Sequence, residues 1–407
     1  MVEGAEPLLS TVLSEPSTAW RKEVLRLARE HPSMIDPSTG GVVVCRYDEV
    51  ERLARSTELI GIGLALFDMM GIAEGELRRW YGSLMFTNDG APHDRLRRLV
   101  SRAFTPRSVE RLRAAAAALV DQRLTPLVEA GTGDLVAALD GLPLELMARL
   151  IGLPEASLPT LRSQVDALSP VFGLMTEDQT RAAEAAIVGL RNDVAALIDA
   201  RRGQPADDLL TSLLAVEEAG DQLSADEVVD MVANLLVGGH DTTAGQLGCT
   251  LQLLLADPSL LQAIRDRTAT STSVVSETMR VNPTLDLVPR CTVGPTVIVG
   301  RERPAGSMVW LHSLAANHDP AVWDEPETVQ PDRFDRPVSP KMLTFGSGPH
   351  YCLGANLARM TLTEVVDAVA RLEVRPTVDP FGVPLVLRLG LAPTTLPVTV
   401  GPAPVAT

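Results

Sequence analysis

The sequence predicts a mostly α-helical fold with a small β subdomain, and three observations carry that expectation. Apolar residues recur at helical spacing from Pro92 to Pro283. Between Val288 and Trp310, β-branched runs are separated by Gly and Pro, as in "TVGPTVIVGRERPAGSMVW", which is the pattern of short hairpin strands. No repeat of fixed period and no long linker interrupts the 407 residues, so residues 1–407 are expected to form one domain. Its first ten residues or so are expected to be flexible.

The elements follow in order. "GGVVVCRYDEVERLAR", Gly40 to Arg55, places a β-branched run before an amphipathic run and predicts a strand followed by a helix. The helical region breaks at polar loops such as "RRGQPADD", Arg201 to Asp208. One helix stands out, "SADEVVDMVANLLVGGHDTTAGQLGCTLQLLLADP", Ser224 to Pro258. Ser224 and Glu227 form a capping-box pattern at its start, and Asp257-Pro258 stops it, so it spans about 30 residues or roughly 45 Å. After "TFGSGPHYCLG", the run "ANLARMTLTEVVDAVARL" predicts a further helix.

Charge and cysteine content exclude several classes of function. The net charge is −16 and the isoelectric point about 4.9, which repels phosphate and argues against a nucleic-acid partner. The four cysteines, Cys45, Cys249, Cys291 and Cys352, are far apart, so neither a disulfide scaffold nor a cysteine-rich zinc site is expected. The N-terminal stretch has no basic segment followed by an apolar run of spanning length, so no membrane anchor is expected and the compartment is read as cytoplasmic.

Two local violations of pattern point to chemistry. Gly238 and Gly239 interrupt the long helix, each costing about 1 kcal/mol relative to Ala, and Asp241, Thr242 and Thr243 follow in an otherwise apolar stretch. Two physical readings compete there: a close helix crossing, or a groove for a flat ligand beside an acid and a hydroxyl placed to handle protons. The second violation is Cys352, held between Gly346, Gly348 and Gly354 and just before a helix. Backbone N–H groups and a helix N-terminus stabilise a thiolate, so Cys352 is read as a metal ligand. A zinc site needs three or four ligands in short spacing, whereas His350 and Cys352 supply two at most.

At these residues the sequence resembles the cytochromes P450. "FGSGPHYCLG" is similar to that family's haem-binding loop at Phe345, Gly348, His350, Cys352 and Gly354. "GGHDTT" resembles its distal-helix signature, "ETMR" its Glu-x-x-Arg element at Glu277 and Arg280, and "PHDRLRRLVSRAFTPR" its propionate-binding helix. The resemblance spans essentially the whole chain and implies the cytochrome P450 fold. It implies haem b as cofactor, with Cys352 as axial thiolate ligand of the iron and His350 beside it. It also implies His93, Arg97 and Arg290 as further cofactor-binding residues, and Asp241 and Thr242 as the catalytic acid–alcohol pair.

The activity implied is a haem-thiolate monooxygenase that hydroxylates or epoxidises a hydrophobic small molecule in secondary metabolism. Its electrons are expected from a ferredoxin and an NAD(P)H-dependent ferredoxin reductase. Two alternatives remain open at this point: a haem-thiolate binding or sensor protein without turnover, and a family member with peroxide-driven or rearrangement chemistry. Glu277 and Arg280 share a helix face and are expected to pair, with Arg333 as a second cation. Arg95, Arg98 and Arg102 are expected to form a basic ridge that docks the donor, with Lys341 and Arg359 near the thiolate loop. Thr361 stands where many relatives carry an acid, which bears on a proximal ion pair. Phe67, Met69, Met70, Met85, Phe86 and the segment Thr284 to Val288 are expected to line the substrate pocket, with Asp286 available to orient a polar or cationic group.

Overall fold

The computed structural model describes residues 18–102, 104–218, 223–387 and 389–402. The first ten residues, for which flexibility is expected, lie outside them. The chain divides into two compact units, one of residues 1–60, 117–139 and 245–407 and the other of residues 61–116 and 140–244. The fold is mostly helical with small sheets, as the periodicity predicts.

The first unit holds the sheets. Its largest sheet has five strands in the spatial order Ser33–Ile35, Val42–Val44, Met308–His312, Leu287–Thr292, Leu59–Ile60. Val42–Val44 runs parallel to Met308–His312, and the other pairings are antiparallel. The unbroken run of valines follows from burial on both faces. Successive strand residues point to opposite sides, so Val43 packs with Val24, Ala28 and Met34, while Val42 and Val44 pack with Tyr47, Trp323 and Leu343. The expected strand and helix at Gly40 to Arg55 appear as Val42–Val44 and Tyr47–Arg55. Thr296–Ile298 and Arg301–Arg303 form the expected hairpin.

A three-stranded sheet of Thr132–Asp134, Pro397–Pro402 and Leu372–Pro376 completes the larger pairings of this unit and was not foreseen. "TGD" has neither apolar alternation nor β-branched density, and its partner lies more than two hundred residues away in sequence.

The second unit is built of helices, including Glu76–Ser83, Gly90–Ser101, Leu142–Ile151, Leu158–Leu168 and Glu177–Gly203. Glu184 accepts hydrogen bonds from the N–H groups of Glu76 and Leu77, at 2.7 and 3.0 Å, and so caps the first of these helices from a distant one. A Cβ at Gly75 would sit 2.9 Å from the Glu184 carboxylate on a backbone with φ of 110°, so only glycine admits this approach.

The long helix runs Ala225–Ala256, 32 residues. Its capping box forms as expected: Glu227 N–H donates to Ser224 Oγ at 3.2 Å, and Ser224 N–H donates to Glu227 Oε2 at 2.7 Å. Pro258 ends it, and the next helix, Pro258–Arg265, leaves at a 90° bend. Among the described residues no single helix is long and apolar enough to cross a membrane.

Candidate active site

In the first unit the site is built around Cys352. The loop from Leu343 turns twice through left-handed glycines, Gly346 at φ 72° and Gly348 at φ 71°. A Cβ at Gly348 would stand 2.7 Å from the carbonyl oxygen of Ala54, so this close wrap needs glycine. Cys352 N–H donates to Phe345 O at 2.9 Å, which pins the cysteine across the turn. The helix Ala355–Ala370 begins three residues later, with Gly354 at its N-cap and no side-chain cap. The partial positive charge of that helix end lies beside the sulfur in sequence and favours a thiolate.

The other cysteines have no such setting. Burial pushes the Cys45 thiol up to about 12 and the Cys249 thiol up to about 11, and raises that of Cys291. Cys352 alone of the four is exposed. Among the described residues no group of three or more His, Cys, Asp or Glu side chains converges on a metal-sized site. One exposed thiol at a helix N-terminus, in a loop bounded by glycines, fits a single-thiolate ligand and not a structural zinc.

The loop is held by packing in the same unit. The Arg359 guanidinium lies over the Phe345 ring at 4.5 Å and donates to Tyr351 Oη at 3.2 and 3.3 Å. His350 ends a short 3₁₀ turn, Gly348–His350. Arg290 lies on the strand Leu287–Thr292, partly exposed, and donates to Pro289 O at 2.9 Å. Thr361 is buried, so its departure from the family pattern falls inside the protein and not on a docking face.

Glu277 and Arg280, whose spacing alone is that of an ordinary surface pair, are fully buried. Arg280 grips Glu277 through two bonds of 2.7 and 2.9 Å and donates to the carbonyls of Asn317, Pro326 and Thr328. Arg333 Nε is 3.2 Å from Glu277 Oε1, and both guanidiniums lie over the Trp323 ring, at 5.1 and 5.9 Å. The expected pair with its second cation is therefore present as a buried network.

In the second unit, Asp241 and Thr242 lie on the long helix. Asp241 is buried and accepts a hydrogen bond at Oδ2 from Ser169 Oγ. Thr242 Oγ1 donates to Gly238 O, one turn back, at 2.9 Å. With its proton committed there, the hydroxyl is left to act as an acceptor for a further donor. The two physical readings of the glycine pair divide by residue. A Cβ at Gly239 would lie 2.5 Å from Met147 Cε, so Gly239 serves a close crossing with Leu142–Ile151. Around Gly238 a Cβ would meet only Asn234 Oδ1, at 3.9 Å.

His93 and Arg97 lie one turn apart on Gly90–Ser101. His93 is buried with Nδ1 3.0 Å from Asp94 Oδ1, and Arg97 is partly exposed. The basic ridge is narrower than expected. Arg95 is partly buried and paired bidentately with Glu227 at 2.7 and 3.1 Å, whereas Arg98 and Arg102 are exposed.

Phe67, Tyr81, Phe86 and Phe172 form a chain of ring contacts with centroids 4.5 to 6.2 Å apart. Two of these were expected at a pocket. Tyr81 and Phe172 were not, since single aromatics in separate helices carry no local signal. Asp286 is corrected: it is buried against Arg21, at 3.0 Å for both contacts, and so has no free oxygen pair for a substrate. Ser169, His240 and Asp166 were also missed. The one signal was a histidine inside an apolar helical stretch.

An exposed cysteine presented by a glycine-bounded loop, on a mostly helical frame that holds a buried Glu–Arg network, is the setting that haem-thiolate proteins use. Residues 159–371 match the family described as Cytochrome P450. Luteothin monooxygenase of Streptomyces thioluteus is 30% identical over 362 residues, covering 88% of this chain and 87% of that one. Mycinamicin IV hydroxylase/epoxidase of Micromonospora griseorubida is 32% identical, with 70% and 71% covered. The crystal structure of CalO2 superposes with a TM-score of 0.87 at 26% identity, over 95% of this chain and 98% of that one. The chain belongs to the cytochrome P450 family and is a P450 monooxygenase.

Proposed function

We propose that residues 1–407 work as one haem b domain that inserts a single oxygen atom of O2 into a hydrophobic small molecule of secondary metabolism. The observation that carries this over a binding-only role is the acid–alcohol pair, with Asp241 oriented by Ser169 and Thr242 tied back to Gly238. A protein that only bound haem would have no use for a buried carboxyl and a hydroxyl in adjacent helical positions.

In this account Cys352 holds the iron, and His93, Arg97 and Arg290 hold the propionates, with His350 beside the thiolate loop. The haem, when bound, supplies the activation of dioxygen. Asp241 passes protons at its carboxyl oxygens, and Thr242 accepts a hydrogen bond at Oγ1 and fixes its direction. Phe67, Tyr81, Phe86 and Phe172 give an apolar wall, which suits a hydrophobic substrate and excludes water. The relatives named for luteothin and for mycinamicin IV support a polyketide-like natural product as the substrate class. A ferredoxin, reduced by an NAD(P)H-dependent reductase in the cytoplasm, is the proposed electron donor, and exposed Arg98 and Arg102 are its proposed docking cations.

The test is turnover of a macrolide and polyketide panel under ¹⁸O2 with NADPH, a ferredoxin and its reductase. The expected product carries one ¹⁸O atom and needs every component. Haem-loaded protein that turns over none of the panel, or products with oxygen from water, would contradict the proposal.

A further inference from the structure

His240 is a buried titratable group that the proposed chemistry has not used. It is fully buried, and neither ring nitrogen makes a hydrogen bond within the protein. An unsatisfied buried polar group costs about 1–3 kcal/mol, so packing alone does not account for an imidazole there. Its Nε2 stands 3.6 Å from Asp166 Oδ1 and 4.0 Å from Asp241 Oδ1, close approaches to two carboxyls and a made bond to neither.

The two carboxyls differ in access to water. The Asp166 side chain is 43% exposed, that of Asp241 2%. Asp166 lies in the last turn of the helix Leu158–Leu168, and Ser169 starts the 3₁₀ turn that follows, so the two lie three residues apart. Asp166 meets His240 and Ser169 meets Asp241, so one segment brackets both members of the pair on the long helix. Ser169 Oγ donates to Asp241 Oδ2, and Asp241 Oδ1 is the oxygen that faces the imidazole, 4.0 Å from Nε2. Burial would raise the Asp166 carboxyl, but His240 and Arg162, whose Nε lies 2.7 Å away, hold it below the usual range. A weakly basic carboxylate passes a proton readily to an imidazole.

We propose that His240 is a proton-relay residue that carries protons from solvent-facing Asp166 to Asp241, an inference that rests on the reading of Asp241 as the proton donor of the reaction. With its own hydrogen on Nδ1, the neutral imidazole takes a proton at Nε2 as the O–H bond of protonated Asp166 breaks. The imidazolium tilts and releases that proton to Asp241 Oδ1 once Asp241 has given up its own. The imidazole returns to its first tautomer, and solvent reprotonates Asp166. One proton moves inward in each cycle and no electron moves.

The test uses the haem-loaded full chain in its ferrous carbon monoxide form with ¹⁵N-labelled histidine. The chain has six histidines, and His240→Gln assigns the signal. Asp166→Asn, at an exposed position where folding is not at stake, is expected to shift the His240 Nε2 resonance through loss of the carboxylate that faces it at 3.6 Å. A His240 signal indifferent to Asp166→Asn would overturn the relay. In ferredoxin-driven oxygen consumption, His240→Gln and Asp166→Asn are each expected to slow the rate about tenfold and to raise the solvent deuterium effect, with the double variant no worse than either. That loss is below the 10²–10⁴-fold typical of a group meeting the reacting atoms, because water can replace a relay. Wild-type rates and isotope effects in both variants would also overturn it. Failure of the underlying reading is distinguishable, because Asp241→Asn would then itself keep the wild-type rate and solvent isotope effect.

Discussion

Two histidines in the first unit are held neutral by burial. His312 is pushed down to about 3, by burial first and then by the nearby Arg21 guanidinium and His318. His318 is pushed down to about 4 by burial, against the hydrogen bond its Nδ1 makes to Leu314 O at 2.8 Å. Unfolded histidine takes up its proton near 6.5. Between that value and the folded ones the unfolded state binds more protons, so stability is full above about pH 6.5 and falls as the pH drops. Each group contributes a slope of about 1.4 kcal/mol per pH unit in that window. Urea midpoints measured from pH 7.5 to 4.5 should be flat at the top and fall steeply below about 6.5, and a midpoint unchanged to pH 4.5 would contradict the neutral buried state. At this scale the sequence is least informative. Asp286 looks like a loop acid until Arg21, 265 residues away, is placed against it.

The elements were more legible than the contacts between them. The capping box of Ala225–Ala256 and the stop at Pro258 are local, so four or five adjacent residues contain the whole signal. Gly239 violates helix propensity visibly, but its reason, the approach of Met147, lies in another helix. The Glu277–Arg280 spacing announced a pair without announcing its burial. That burial sets the magnitude: removing one partner leaves an uncompensated buried charge and costs about 3–5 kcal/mol, against about 0–1 for a surface pair. Arg280→Ala is expected to destabilise by the larger amount in equilibrium denaturation, because Glu277 would keep only the single Arg333 contact at 3.2 Å and the Gln330 N–H at 2.9 Å. A change under about 1 kcal/mol would show that the network is worth no more than an exposed ion pair.

For the whole molecule, the order of motifs along the chain was enough to place it in its family, because the glycine-bounded cysteine, the Glu-x-x-Arg helix and the glycine–acid–alcohol run of the long helix are each local patterns. The sheet of Thr132–Asp134, Leu372–Pro376 and Pro397–Pro402 was not legible, since its register is set by strands distant in sequence. The central claim is that Cys352, exposed at the start of Ala355–Ala370, ligates haem as a thiolate. The most direct measurement is the absorption spectrum of the dithionite-reduced protein under carbon monoxide, for the wild type and for Cys352→Ser. A strongly red-shifted Soret band in the wild type, lost in the variant, is the predicted result. Protein that takes up no haem, a wild-type band at the unshifted position, or a shifted band that survives Cys352→Ser would contradict it.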